Sequence, residues 1–330
     1  GSGSAQSSFE GVIGFLPNQS ATNELILTGY LDLQLANLFQ SGKALGLTWN
    51  RFADQSQVAD IQYHHPYLLS TPLFASFHLN LLKQDTTFLN QTWSLETGTN
   101  LWSGSELFMA YERDRGSLIN AAELNFEDGL ADYKANMYQL GIRSSYFNIP
   151  FKFGRDLRYQ LSGSVGEKAI NVNPTIDSQV YDSIVLESSK LLISAGVRYQ
   201  IPLAERLSLY HGLSGQLLFN EELLRNELFR LGGLKSLRGF NENFFYAKDY
   251  VLSRLELRQY FESSSYIMLF YDIAYMNTLT EESVPMGGGL GLSLNTSNGL
   301  FTFAAAVGGS QEIPVSFSNM KIHIGYVSKF

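Results

Sequence analysis

Long runs of residues alternate between apolar and polar side chains along most of this chain. Within residues 25–36, Leu31 and Leu33 lie on one face of an extended chain. Asp32 and Gln34 lie on the opposite face. This period of two is the pattern of a β-strand with one apolar and one polar face. The run is also long enough to cross a bilayer as a tilted strand, so the chain is predicted to be built from long, two-faced strands.

The same pattern recurs and predicts sixteen strands. An even number suits a closed antiparallel barrel whose two termini lie on one side of a membrane. The predicted strands are near 9–16, 25–39, 42–52, 56–64, 73–84, 86–99, 104–113, 133–147, 150–168, 185–201, 204–219, 249–262, 265–277, 287–295, 299–308 and 320–330.

The predicted connections alternate in length. Every second one is tight, and most of the others are longer, as in outer-membrane barrels with short periplasmic turns and long outer loops. The tight ones are near 40–42, 102–104, 148–150, 262–264 and 296–298, and the long ones are 114–132, 169–184, 220–248 and 309–319.

Composition supports the same architecture. Aromatic residues make up 13% of the 330 residues, and barrels need aromatic side chains at both water interfaces. No apolar run reaches the length of about 18 residues that a membrane helix requires. The chain has no Cys, which excludes disulfides and thiolate metal sites and fits an oxidising compartment. The net charge of -8 argues against a nucleic-acid partner.

A large soluble β-sandwich or propeller is the alternative architecture. Propeller blades would show a repeat of about 40–50 residues, and none is present. Strands of a sandwich are also about half as long as these runs. We therefore predict an all-β fold, a 16-stranded antiparallel transmembrane barrel formed by residues 9–330. Residues 1–8 are interpreted as a tag or linker remnant.

The long connection at 220–248 is predicted to fold into the lumen of the barrel. It carries the Gly-rich, charged stretch 230–240, which fits neither a strand nor an ordinary turn. Loops of this length inside a regular β chain usually have a function.

Charged residues on the strands after this loop indicate what it could contact. Arg254, Glu256 and Arg258 share one strand face, and a charge in the lipid would cost about 2–4 kcal/mol, so these three must face the lumen. On the next strand, the same alternation of faces places Asp272 on the lumen face. Arg238 is the candidate partner for this carboxylate, because a guanidinium binds a carboxylate through two parallel hydrogen bonds. The alternative is that Arg238 is a solvated loop arginine.

No catalytic, metal or cofactor site is predicted. The five histidines, His64, His65, His78, His211 and His323, lack a nucleophile and an orienting group in a favoured arrangement. The carboxylates do not have the spacing of a calcium loop. We therefore expect no enzymatic activity.

Two motifs resemble those of a known superfamily. Leu237-Arg238-Gly239-Phe240 resembles the (Val/Ile)-Arg-Gly-(Phe/Tyr) motif of the lumen-inserted sixth extracellular loop in the BamA/TamA superfamily of outer-membrane barrels. Phe270-Tyr-Asp272-Ile-Ala274 is similar to its Phe-x-Asp-x-Gly strand motif, with Ala274 where Gly is usual. The resemblance implies that Arg238 pairs with Asp272 on the barrel wall.

The two ends of the chain suggest a lateral seam. In assembly factors of this superfamily, the first and last strands pair weakly and can separate, so that a client strand adds to the open edge. Gly11 and Gly14 in the first strand and Gly325 in the last are candidates for weakening the pairing. The aromatic terminus at Phe330 resembles the signal for outer-membrane assembly. The alternative is that these are ordinary strand glycines and an interface aromatic.

The resemblance implies a bacterial outer-membrane protein assembly or insertion factor. Its expected partners are outer-membrane lipids, unfolded outer-membrane or secreted client polypeptides, and accessory periplasmic proteins or lipoproteins, without nucleic acid or a cofactor. The alternatives are a two-partner-secretion-type translocation pore, or a passive porin or membrane anchor of a missing periplasmic or enzyme domain. The superfamily usually carries POTRA domains before the barrel, and eight residues cannot form one. We therefore expect either a barrel separated from such domains or a short member.

Overall fold

A computed structural model describes residues 7–17, 25–53, 55–101, 104–120, 129–144, 151–172, 181–182, 184–296 and 299–328. These residues form nineteen strands: β1 (Ser8–Pro17), β2 (Leu25–Leu38), β3 (Lys43–Ala53), β4 (Ser56–His65), β5 (Leu73–Gln84), β6 (Phe88–Asn100), β7 (Ser105–Leu118), β8 (Tyr133–Ser144), β9 (Asp156–Ile170), β10 (Glu187–Ala204), β11 (Leu207–Phe219), β12 (Phe229–Leu231), β13 (Phe245–Ala247), β14 (Asp249–Tyr260), β15 (Tyr266–Asn277), β16 (Glu282–Ser283), β17 (Met286–Asn295), β18 (Gly299–Gly309) and β19 (Lys321–Ser328).

Sixteen of these strands are long, and each pairs antiparallel with the next long strand along the chain. The short strands β12 and β13 pair with each other inside the connection 220–248, and β16 adds to the end of β15. The predicted 16-stranded antiparallel barrel fold is confirmed, because nearly every strand lies within a few residues of its predicted position. No helix in the described part of the chain is long and apolar enough to cross a membrane.

The two faces of each strand differ in burial, as the alternation predicts. On β8, Tyr133, Ala135 and Met137 point inward and are buried, whereas Tyr138 and Leu140 point outward and are exposed. A soluble protein would not leave such apolar side chains in water on strand after strand. The outward face is therefore the lipid-facing surface, and the polar face lines the lumen.

The connections sort to two ends of the barrel. β10 and β11 are joined by two residues, 205–206, and β14 and β15 by 261–265, at one end. The long connection 220–248 joins β11 to β14 at the other end. The predicted turn at 148–150, and parts of those at 102–104 and 296–298, lie outside the described residues.

One predicted strand start is wrong. The predicted strand 150–168 includes Phe151, but the strand begins at Asp156, and Phe151 is buried before it. Its ring lies 4.1 Å from the Arg158 guanidinium carbon and 5.5 Å from the Tyr210 ring. Segment 151–155 folds back into the lumen because these inward-facing groups offer the ring a packed site that lipid does not.

The sheet is continuous from β1 to β19 but is not closed by hydrogen bonds. β1 pairs with β2, and β19 pairs with β18. Among the residues that the structure describes, no ladder joins β1 to β19. Within these ranges, the outer edges of β1 and β19 are therefore unpaired strand edges.

The face assignment predicts opposite outcomes for two adjacent substitutions on β8. Leu140→Arg places a charge in lipid and should lower the free energy of unfolding of the membrane-inserted barrel by about 2–4 kcal/mol. The side chain at position 139 faces a lumen cavity, so Gln139→Arg should change this free energy little. Denaturant titration of the barrel folded in lipid vesicles measures both. Equal losses for the two variants would contradict the assignment.

The lumen loop and its two anchors as a candidate functional site

Residues 220–248, the lumen loop, run from β11 into the barrel interior and back to β14. The hairpin of β12 and β13 forms its stem. Beyond the stem, the loop buries Leu237 and Phe240 in an apolar cluster with Leu252, Ala274 and Met276 of the wall. The loop is therefore packed against β14 and β15 and is not a free surface segment.

Arg238 at the loop tip is almost fully buried and binds Asp272 of β15. Its Nε donates to one carboxylate oxygen at 2.7 Å, and its Nη2 donates to the other at 2.6 Å. The backbone N–H of Arg238 adds a third bond at 3.1 Å. The guanidinium and the carboxylate that the two motifs pointed to thus meet in the bidentate geometry that only an arginine provides.

A second carboxylate completes the charge balance around Arg238. Glu256 of β14 accepts from Nη1 of Arg238 at 2.7 Å, and its other oxygen accepts from Arg258 at 2.6 and 2.8 Å. Two guanidinium and two carboxylate groups therefore alternate inside the lumen. We call these four residues, Arg238, Glu256, Arg258 and Asp272, the Arg238 cluster. A buried charge without such partners would cost several kcal/mol.

Burial and the carboxylates act in opposite directions on the loop arginine. Desolvation lowers the pKa of Arg238, but the charge of Glu256 and the hydrogen bonds of Asp272 outweigh it, so the pKa lies above its ordinary value. Arg238 stays charged at any physiological pH.

The Arg238 cluster continues towards the tight-turn end through Gln200 of β10. The Gln200 carbonyl oxygen accepts from Arg258 at 3.0 Å and from the Tyr260 hydroxyl at 2.9 Å. Its amide nitrogen donates to the carbonyl oxygens of Lys152 and Gly154 at 2.8 and 3.2 Å. All four hydrogen-bonding positions of this buried amide are used. The loop tip is therefore connected to segment 151–155 by an unbroken chain of polar contacts.

The tip approaches the wall at backbone distance. Phe270 lies under the guanidinium, with its ring centroid 3.7 Å from the Arg238 carbon atom. Gly239 has φ +98°, a backbone conformation that residues other than glycine rarely adopt. A methyl group on Gly287 of β17 would overlap the carbonyl oxygen of Arg238. Glycine at this wall position is what allows the loop to lie so close.

The loop also contacts the last strand. The backbone N–H of Gly239 donates to Nε2 of His323 on β19 at 3.2 Å. Leu234 lies over Gly325, where any side chain would collide with it. Gly325, predicted as a seam glycine, thus faces the lumen loop. Gly11 and Gly14 lie in β1, opposite Leu31 and Thr28 of β2, and Phe330 lies outside the described residues.

Arg254, the third predicted lumen charge, lies at the edge of this arrangement. Its guanidinium donates to the carbonyl oxygen of Lys235 in the lumen loop at 2.9 Å. It is only partly buried and contacts the loop backbone instead of the Arg238 cluster.

A second anchor holds the first arm of the lumen loop to the opposite wall. The carboxylate of Glu227 is fully buried and forms an ion pair with Lys168 of β9, and it lies 3.5 Å from Nζ of Lys190 on β10. Both ammonium groups also lie within 6 Å of the Tyr133 ring centroid on β8, at 5.8 and 5.7 Å. We call Glu227, Lys168 and Lys190 the second anchor. The loop is thus tied to β8–β10 and to β14–β19.

Sequence reasoning missed the second anchor, the role of Gln200 and the contact with His323. Glu227 has no periodic context in the loop, and Lys168 sits at the predicted end of a strand. The sequence offered one signal for Lys168: it lies on the same strand face as Arg158 and Gln160, which is the polar face. Among the described residues, no group of His, Cys, Asp and Glu could hold a metal ion.

These features define a class of protein: a large antiparallel barrel whose lumen is occupied by its own sixth outer loop, clamped to the wall through an arginine. Solved structures share the barrel fold of this chain. It is similar to BamA from Haemophilus ducreyi lacking POTRA domains 1–3, with a TM-score of 0.62 at 14% identity over 99% of this chain and 70% of that one. It is also similar to CdiB from Escherichia coli, with a TM-score of 0.63 at 15% identity over 98% of this chain and 63% of that one. For CdiB from Acinetobacter baumannii, the TM-score is 0.59 at 13% identity over 98% of this chain and 65% of that one.

The resemblance that the loop and strand motifs carry is therefore confirmed at the level of the fold. The chain spans less than two thirds of the two CdiB chains. The sequence matches no protein-family model and no curated protein.

The Arg238–Asp272 contact predicts strongly non-additive losses. Arg238→Ala and Asp272→Ala should each lower the free energy of unfolding by about 3–5 kcal/mol. The first leaves the buried carboxylate of Asp272 without its cation, and the second leaves Arg238 with Glu256 as its remaining carboxylate partner. The double variant should be little worse than either single one. Arg254→Ala, a matched control on the same wall, should cost less than about 1 kcal/mol. Strictly additive losses in denaturant titrations would exclude the coupling.

The second anchor predicts local release of the loop. Glu227→Gln leaves Lys168 and Lys190 facing each other without a carboxylate, so the first arm of the loop should open. Limited proteolysis of the folded protein should then cut within 220–231. Glu221→Gln, an exposed control in the same arm, should leave that segment protected. Identical cleavage patterns would show that Glu227 does not hold the arm.

Proposed function

We propose that this chain is the membrane barrel of an outer-membrane protein assembly or insertion factor of BamA/TamA type. The observation that carries the proposal is the unpaired edge between β1 and β19, beside a lumen loop that is bound to the inner face of β17–β19. An open edge presents backbone N–H and C=O groups that a client strand can pair with. The proposed activity needs no covalent chemistry, no cofactor and no nucleic acid.

The arrangement of the loop supports an opening at this seam. β19 is held from inside by His323 and by the contact of Leu234 with Gly325. β1 is attached through β2 alone among the described pairings. If the two edges separated, β19 would keep this support from the lumen loop. The partners of such a barrel are outer-membrane lipids and unfolded client strands, delivered with accessory periplasmic proteins or lipoproteins.

A polypeptide translocation pore of two-partner-secretion type is the second candidate. A polar cavity of ≈750 Å³ lies along the inner face of β2–β9, lined by groups such as His78, Glu112 and Arg143. This space could widen into a path if the lumen loop moved. A passive porin is less well supported, because the lumen loop is bound inside the barrel beside β14–β19 and by Glu227 beside β9 and β10.

Disulfide locking tests the seam directly, since the chain has no Cys. Paired cysteines scanned between residues 8–15 and 321–328 should, when oxidised, abolish insertion of a client barrel into vesicles that contain this protein. Reduction should restore it. Ser253→Cys with Ile273→Cys, directly opposed on β14 and β15, is the matched control and should leave insertion unchanged.

The location of the client separates the candidates. A client embedded in the bilayer and heat-modifiable supports insertion, whereas a client released across the bilayer supports translocation. Full insertion through an oxidised seam would exclude the proposed route. A large steady conductance in planar bilayers, unchanged by deletion of 220–248, would instead indicate a porin.

A further inference from the structure

Four basic residues lie on the outward faces of β5, β7 and β8, where the apolar band ends near the long loops. They are Lys83, Arg113, Arg115 and Lys134. The direction of the two arginines follows from Asp114 between them, whose carboxylate accepts a hydrogen bond from the buried Tyr133 inside the lumen at 2.8 Å. Since neighbouring residues on a strand point to opposite faces, Arg113 and Arg115 point outward.

The strand register brings like charges together. Arg115 lies directly opposite Lys134 on β8, and Arg113 lies one step below on the same face, opposite Asn136. Like charges at opposed positions destabilise a strand pair. Among the residues that the structure describes, none of the four basic side chains forms an ion pair. A bound anion would remove this repulsion.

Aromatic residues lie beside and below these charges, and Trp93 of β6 is directly opposite Arg113. The Trp93 ring is 5.4 Å from that of Tyr111, and the Tyr111 ring is 5.4 Å from that of Tyr138. The next outward positions, Met109 and Leu140, are apolar and exposed. Trp and Tyr collect at the headgroup level of membranes. The basic residues above them therefore lie at the level of lipid phosphates and not in the hydrocarbon region.

The sign of the charge changes along this boundary. On the same outward rows, Glu167 of β9 lies opposite Asn136 and Ser189, and Glu187 of β10 lies opposite Ala169. Outward basic residues thus lie on β5, β7 and β8, and outward acidic residues lie on β9 and β10. An anionic headgroup would be attracted to one part of the circumference and repelled from the other.

We propose that Lys83, Arg113, Arg115 and Lys134 form a binding surface for lipids with phosphate-bearing headgroups in the leaflet on the long-loop side. Guanidinium groups bind phosphate oxygens through two parallel hydrogen bonds, and lysine adds a point charge. The aromatic row and the apolar band below hold the acyl chains. The surface would fix the rotation and depth of the barrel beside its lipids. This inference rests on the proposed placement in an outer membrane.

Native mass spectrometry of the folded barrel tests the surface with a glycolipid that carries two phosphates and with its phosphate-free counterpart. The wild-type chain should retain the phosphorylated lipid selectively. The variant Arg113→Gln/Arg115→Gln/Lys134→Gln should retain it about fivefold more weakly for each charge removed. Lys43→Gln/Lys152→Gln/Arg155→Gln, with the same change of charge at the opposite end, should behave like the wild type.

Several outcomes would overturn the proposal. Equal loss in both triple variants would show an effect of net charge alone, and equal retention of the two glycolipids would show that the phosphates are not recognised. Displacement of the lipid by inorganic phosphate would indicate a free-anion site instead of a lipid surface. Heat-modifiable migration of the wild-type chain in vesicles is scored separately. Its absence would overturn the membrane placement and, with it, this surface.

Discussion

The buried guanidinium of Arg238 is the interaction on which the rest of the lumen depends. A charge removed from water costs several kcal/mol unless its partners are well placed. Asp272 and Glu256 supply two carboxylates, but Glu256 then needs Arg258, and Arg258 needs Gln200 and the tyrosine rings beside it. Each buried polar group thus requires the next one. Because a partly satisfied polar network is worse than an apolar core, the loop and the wall form one structural unit.

The two anchors of the lumen loop carry opposite charges, which fixes the orientation of the loop. Its first arm presents the carboxylate of Glu227 to the ammonium groups of β9 and β10, and its tip presents the guanidinium of Arg238 to the carboxylates of β14 and β15. A loop inserted in the reverse sense would bring like charges together inside a low-dielectric lumen. Charge complementarity therefore specifies which wall each arm contacts, while the apolar cluster around Leu237 provides close packing.

Strand positions were predictable because a barrel imposes one strict rule, apolar outside and polar inside, along every long strand. The approach of Arg238 to Asp272 was predictable for a related reason, since parity put Asp272 in the lumen and a buried carboxylate needs a cation. The positions of residues outside the alternating strand pattern could not be predicted in this way. Glu227 lies in an irregular loop, and its ion pair with Lys168 depends on the contact between β9 and the loop in three dimensions. Phe151 was misplaced because its hydrophobicity continued a strand pattern, while its actual site is an aromatic and cationic pocket inside the barrel.

The loop also determines how the two ends of the sheet differ. β19 lacks a ladder partner on one edge, yet it is paired with β18 and is held from the lumen by the Gly239–His323 hydrogen bond and by Leu234 over Gly325. β1 has its ladder with β2. In the insertion route that we propose, a loop that holds β19 from inside the lumen would keep this edge in place while a client strand pairs with it.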